Sequence, residues 1–171
     1  MPHTAAALGG NGYQVRALYS PEERKRRDET SWTTVQGILA PIQFIVFVVS
    51  LYLVYSFLRT GDGAWLADLS IVLKTFILYT IMITGSIWEK VVFGKWLFAR
   101  PFFWEDVFSM LVLALHTAYL IMLLVDLGTA QDRMFVALAA YGAYVVNAGQ
   151  FLLKLRAARL EMYKIEPGAA S

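Results

Sequence analysis

The sequence predicts an all-α membrane protein, a four-helix bundle that crosses the bilayer four times with both termini in the cytoplasm. Three observations carry this. Hydrophobic residues make up 58% of the 171 residues, and the mean hydropathy is +0.53, above the range of soluble domains. The apolar residues fall in four nearly uncharged blocks. Twelve of the fifteen Lys and Arg lie on one side of the membrane once those blocks are threaded through it.

The first eighteen residues are small and polar and contain no apolar core of a signal peptide, so they are expected to form a disordered tail, and the first span is expected to direct insertion. Ser20-Pro21-Glu22-Glu23 carries the N-cap, first-turn proline and capping-box glutamate of a helix start. Arg24 to Arg27 follow, predicting a short, basic, amphipathic helix on the cytoplasmic surface that acts as a solvated positive anchor. The four spans are expected at about 34–58, 69–88, 107–125 and 134–153, within one domain covering 19–160, and a tail covers 161–171. Each block approaches the ~20 residues that a helix needs to cross a ~30 Å hydrocarbon layer. Lipid cannot satisfy unpaired strand edges, so the blocks must be helices. Pro41 lies inside the first span and is expected to kink it. Between spans two and three, Val91 to Trp104 is mostly apolar and aromatic, which predicts an interfacial or re-entrant segment.

Arg16, Arg24 to Arg27, Lys90, Lys95, Arg100, Lys154, Arg156, Arg159 and Lys164 fall on the side that holds both termini, and the other two connections carry only Arg59 and Arg133. Excess positive charge stays in the cytoplasm. All five tryptophans (Trp32, Trp65, Trp88, Trp96 and Trp104) lie at or just beyond span ends, where amphipathic rings favour the headgroup zone. Small residues in span four, Ala139, Ala140, Gly142, Ala143, Ala148 and Gly149, predict close helix approach.

Every span also carries a polar stripe at helical spacing: Gln36, Gln43 and Ser50; Lys74, Gly85 and Glu89; Glu105, Ser109, His116 and Tyr119; Tyr144, Asn147, Gln150 and Lys154. The stripes should converge on one another or on a bound polar ligand. Lys74 is close enough to the outer end of its span to snorkel to the interface. Glu89, Glu105 and Asp106 sit at the cytoplasmic border, either as solvated helix-end charges or as acids shielded by the aromatic connection. His116 is the one histidine inside a span. Alone it does not make a bis-histidine haem, multi-histidine zinc or di-iron site. It remains a candidate to ligate the magnesium of a chlorin, to shuttle protons, or to bond a neighbour. The absence of cysteine removes disulfides, thiolate catalysis and thiolate-held metals. No phosphate loop, serine nucleophile motif or nucleic-acid patch is present, so no nucleic-acid partner is expected.

The string YTIMITGSIWEKVVFGKWLFARPFFWEDVFSMLVLALHTAYL at Tyr79 to Leu120 resembles the 3-vinyl bacteriochlorophyllide hydratase family of photosynthetic bacteria. So do VQGILAPIQF at Val35 to Phe44, AAYGAYVVNAGQFLLKLRAARL at Ala139 to Leu160 and YSPEERKRRD at Tyr19 to Asp28. The resemblance implies a hydro-lyase of the bacterial inner or photosynthetic membrane that adds water to the C3-vinyl group of chlorophyllide a or a bacteriochlorin relative. It implies no required cofactor, with magnesium present only as part of the tetrapyrrole substrate. Candidate protein partners are other enzymes of the same pathway or a second copy of the chain, within membrane lipid.

For such a reaction Glu105 and Asp106 are the candidates for proton donor and water-orienting base, with Glu89 in reserve. His116 lies ten residues beyond Asp106, about 15 Å along the helix, and is the candidate axial ligand of the pigment magnesium. Lys90, Lys95 and Arg100 are candidates for the substrate propionate, Trp88, Phe102, Phe103 and Trp104 for a stacking wall, and Tyr144, Asn147 and Gln150 for polar lining. The competing classes are a non-catalytic pigment-binding or assembly subunit, which does not need the carboxylates, and a small transporter, which needs a polar path across the bilayer.

Overall fold

The computed structural model describes residues 18–165, with side chains to residue 157. The disordered tail expected over 1–18 therefore lies outside the described residues except for Leu18. The described chain is all-helical and contains no strand. A short α1 (Pro21–Glu29) precedes α2 (Ser31–Thr60) and α3 (Ala64–Phe93), and a 3-10 turn (Arg100–Phe102) leads into α4 (Phe103–Leu124) and α5 (Ala130–Ile165). The last four helices are each long and apolar enough to cross a membrane.

The capping box forms as the residues require: Ser20 Oγ accepts from Glu23 N at 3.2 Å, and Glu23 Oε2 accepts from Ser20 N at 2.8 Å. The basic helix it starts is more than a solvated anchor, since Arg26 Nε donates to the Val92 carbonyl at the end of α3, 2.9 Å away. α2 runs unbroken through Pro41, which lies on its exposed face. Gly61 and Gly63, both left-handed, turn the chain from α2 into α3. Each long helix extends beyond its uncharged block, because hydropathy marks the hydrocarbon-matched core whereas backbone hydrogen bonds continue through charged residues. α5 accordingly passes the expected limit at Leu160 and meets no helix breaker before Pro167.

α2 packs against α3 and α4 against α5, with polar bonds inside each hairpin and between the two. Gln36 Nε2 donates to Thr84 Oγ1 (2.7 Å) and Asn147 Nδ2 to Ser109 Oγ (2.8 Å), while Ser50 Oγ bridges Ser70 Oγ (2.7 Å) and the Tyr141 hydroxyl (2.5 Å). The four polar stripes thus meet inside. The exterior is the reverse, with Ile38, Ile42, Ile45, Val49 and Tyr52 forming an exposed apolar face of α2. Buried polar groups within an apolar outer surface suit a protein whose solvent is lipid.

Two expectations need correction. Lys74 does not snorkel: it is fully buried, its Nζ 2.9 Å from His116 Nε2 and 4.3 Å above the centre of the Tyr144 ring. Its stem points along the bundle interior, where imidazole and aromatic faces satisfy it better than a lipid tail would. Among the small residues of α5, Ala140 is buried, but Gly142 and Gly149 meet open space, since their face turns away from the other helices.

Candidate active site

The carboxylates at the end of the bundle are placed by three helices and one turn. Glu89 ends α3, Glu105 and Asp106 open α4, and each is only 5% exposed. Adjacent residues on a helix diverge by about 100°, so Glu105 and Asp106 have different partners. Glu105 turns to α5, where Lys154 Nζ lies 2.6 Å from Oε2 and also donates to the Pro101 carbonyl. Asp106 turns toward α3 and the connection, where successive backbone amides hold it and Glu89 side by side.

The turn before α4 completes this pair. Phe98 holds a left-handed φ of 59°, unusual for a residue with a side chain. That conformation turns two successive backbone N–H groups inward. Phe98 N donates to Asp106 Oδ2 at 2.7 Å, and Ala99 N to Glu89 Oε2 at 3.2 Å. Consecutive amides in such a turn form a concavity suited to carboxyl oxygens, and the strain of Phe98 lies at this site. Nothing in the residue types marks it; a positive φ at a phenylalanine is visible only in the fold.

An aromatic shell closes the site. Phe102 is buried against Trp88 (5.6 Å between centroids), Phe93 (5.8 Å) and Phe151 (5.9 Å), and Tyr19 stacks on Phe93 at 5.7 Å. Burial pushes the Tyr19 phenol above its ordinary pKa, against the opposing pull of the Arg27 guanidinium over its ring. The shell differs from the expected wall. Trp88 and Phe102 belong to it, Trp88 with Nε1 donating to Thr33 Oγ1 at 2.9 Å, whereas Phe103 and Trp104 are exposed. Tyr19 and Phe151 were not anticipated, because they come from segments far from the acids in sequence, whereas Phe93 belongs to the aromatic connection expected to shield them.

The other candidates separate into groups. Lys90, Lys95 and Arg100 are exposed around the connection, Lys90 bonding the Gly94 carbonyl at 3.0 Å. Asn147 and Gln150 lie on α5 within two turns of Lys154. His116 and Tyr144 lie deeper, with Lys74 and Tyr141, and away from the acids. His116 Nδ1 donates to the Val112 carbonyl (2.8 Å), leaving Nε2 to accept from Lys74. Both ring nitrogens are occupied, and axial ligation of a magnesium would require Lys74 to leave. Further out, Tyr119 donates to Asp68 (2.5 Å), which lies 4.0 Å from Arg133. Among the described residues no cluster of His, Asp and Glu is arranged to hold a metal ion.

A groove of about 270 Å³ opens toward lipid between α3 and α4, lined by Tyr79, Met82, Ile83, Leu113 and Thr117. Met82 and Leu113 are each seven residues, or two turns, from Glu89 and Asp106 on the same helix faces. The groove and the carboxyl pair therefore share one seam, about 10 Å apart.

A four-span bundle with a shielded carboxyl pair beside a lipid-facing groove has the parts of a membrane-embedded acid–base enzyme for a lipophilic substrate. The chain matches the family "2-vinyl bacteriochlorophyllide hydratase" over residues 19–157 and belongs to it. A relative of that name from Cereibacter sphaeroides is 63% identical over 150 residues, covering 86% of this chain and 91% of the relative. Another from Rhodobacter capsulatus is 61% identical over 156 residues, covering 90% and 89%. No solved structure matches the chain.

Proposed function

We propose that this chain hydrates the vinyl group of a chlorophyllide-type tetrapyrrole in bacteriochlorophyll biosynthesis, as the names of its relatives indicate, giving a 1-hydroxyethyl substituent. The vinyl group is the one numbered 2 or 3 in the two schemes for the macrocycle. The observation that carries the mechanism is the Glu89–Asp106 carboxyl pair, cradled by the Phe98 and Ala99 amides at the end of the α3–α4 groove.

Hydration adds a proton to the terminal vinyl carbon, then a water oxygen to the carbon beside the ring, where the macrocycle delocalises the positive charge. Water loses its second proton to a base, and the sum is one added water with no change in electron count. The Glu89–Asp106 pair supplies the first proton and recovers the last. This raises Glu89 from reserve to a primary role. Glu105, engaged by the Lys154 ammonium, is the fixed negative charge facing the developing cation. No cofactor is needed for these steps.

The pigment enters laterally, one edge of its ring in the groove between α3 and α4 and its remaining apolar face in lipid. Its propionate meets Lys90, Lys95 or Arg100, which surround the same end of the bundle. The charge distribution supports an orientation with both termini and this end in the cytoplasm of a bacterial inner or photosynthetic membrane, the connection after α3 at the interface. The reading as a pigment carrier is less well supported, since it depends on an imidazole free for magnesium and His116 is engaged on both nitrogens.

Membranes containing the full chain, supplied with chlorophyllide a in heavy-oxygen water, are expected to give a product heavier by one labelled water by mass spectrometry. Recovery of unchanged chlorophyllide, with the protein folded and pigment bound, would overturn the proposal.

A further inference from the structure

Three amides in the interior have buried oxygens that accept no hydrogen bond from the protein: Gln43 Oε1, Asn147 Oδ1 and Gln150 Oε1. Gln43 Nε2 is unpartnered as well. Gln43 is 1% and Asn147 9% exposed. Such groups normally have a partner.

They lie together by register. Ser50 bonds Tyr141 at 2.5 Å, and Phe47 packs on Tyr144 with centroids 4.9 Å apart. Continuing one turn along antiparallel α2 and α5 places Gln43 at the level of Asn147. Asn147 is tied through Nδ2 to Ser109 Oγ at 2.8 Å, and Ser109 is one turn from Glu105 and Asp106. Gln150, one turn further along α5, approaches Lys154, the partner of Glu105. The three amides thus form a layer immediately inside the carboxyl cluster, below the aromatic shell of Phe102 and Phe151.

Their polarity selects the ligand. Three oxygens lack a donor and the Gln43 NH2 group lacks an acceptor, so the missing partner must both donate and accept hydrogen bonds. The carbonyl and carboxylate oxygens of a tetrapyrrole only accept, and would leave the three amide oxygens without a donor. Water donates two hydrogens, accepts one from Gln43 Nε2, and settles stably where two to four polar partners converge.

We infer that Gln43, Asn147 and Gln150 hold the water consumed by the reaction, delivering it from the bundle interior to the carboxyl pair. This rests on the hydratase reading and adds to it a residue-defined water site. Water enters from the α2–α5 side while the pigment edge enters from the α3–α4 groove, so the nucleophile approaches one face of the vinyl carbon. The water oxygen bonds to that carbon, its departing proton passes to the carboxyl pair, and the pair has already lost one proton to the terminal carbon. The amides touch water rather than pigment and act as positioning residues.

The test uses the full chain in lipid nanodiscs with chlorophyllide a, following turnover, pigment KM and the ratio of the two hydroxyethyl epimers by chiral chromatography. Wild type is expected to give predominantly one epimer. Gln43→Met and Asn147→Leu are expected to lower kcat by about tenfold or more, to leave pigment KM within about twofold, and to move the epimer ratio toward equality. Gln43→Glu, which keeps an acceptor oxygen, should recover much of the rate. Gln150→Met, at a half-buried position, provides a milder variant with the same expected direction. Independently of turnover, infrared spectra of pigment-free wild type should contain O–H bands that shift in heavy-oxygen water and disappear in Gln43→Met. An epimer mixture from wild type, or wild-type kcat and epimer ratio in all the apolar variants, would overturn the water site while leaving the hydratase reading intact. Failure of wild type itself to hydrate chlorophyllide would instead overturn that reading.

Discussion

Glu105 and Asp106 are neighbours in sequence and have separate tasks in the fold, because a helix sends adjacent side chains about 100° apart. Asp106 and Glu89 are held by the successive amides of Phe98 and Ala99, and Glu105 is paired with Lys154. Glu89→Gln and Asp106→Asn are therefore expected to reduce hydration by about a hundredfold or more while pigment remains bound, measured by product mass and pigment retention. Full activity in both variants would remove the pair from the mechanism. Lys154→Met leaves a buried carboxylate without its cation and should cost about 3 kcal/mol in a detergent-unfolding measurement, with Glu105→Gln added to it restoring part of that loss. That the acids at this border are shielded was legible from their position beside an apolar connection. The pairing was not, since Lys154, Ala99 and Glu89 reach it from separate segments whose rotations no local pattern encodes. His116 shows the same limit: its place inside a span was legible, its engagement by Lys74 was not.

Helix starts and stops follow local chemistry and were legible where that chemistry is strong. The Ser20–Glu23 capping box forms as read, and the fold adds left-handed turns at Gly61, Gly63 and Gly94 that end or begin long helices. The function of α1 was not local. Arg26 fastens it to the last turn of α3 through the Val92 carbonyl, and Tyr19 just before it enters the aromatic shell over the acids. Arg26→Ala is expected to free α1 and to speed tryptic cleavage at Arg24 and Lys25 several-fold in protein reconstituted with that end accessible, measured by the rate of loss of the intact chain. Cleavage at the wild-type rate would show that Tyr19 alone holds α1. The connection after α3 was expected as an interfacial or re-entrant stretch. In the fold, its ends are absorbed into α3 and α4, and the residual turn uses its backbone to cradle two carboxyls.

Across the molecule the usual distribution is inverted, with aliphatic side chains outside and Gln43, Ser50, Lys74, His116 and Asn147 inside. This is the stable arrangement for a bundle in hydrocarbon, where internal polar contacts replace water. The lack of native cysteine permits a clean test of its orientation. In intact spheroplasts, a membrane-impermeant maleimide is expected to label Asp62→Cys, in the exposed α2–α3 turn, and to label Lys95→Cys only after lysis. The reverse pattern would overturn the cytoplasmic placement of the acids. The sequence by itself determined four apolar helices, their charge asymmetry and the polar stripe on each. These are sums over twenty or so residues, insensitive to the rotation of any one helix. Tertiary structure alone decided that Lys74 meets His116, that adjacent amides hold Asp106 and Glu89, and that three buried amide oxygens are left without a protein donor. Each such contact depends on the rotation and register of two helices at once, and packing across the whole bundle sets both.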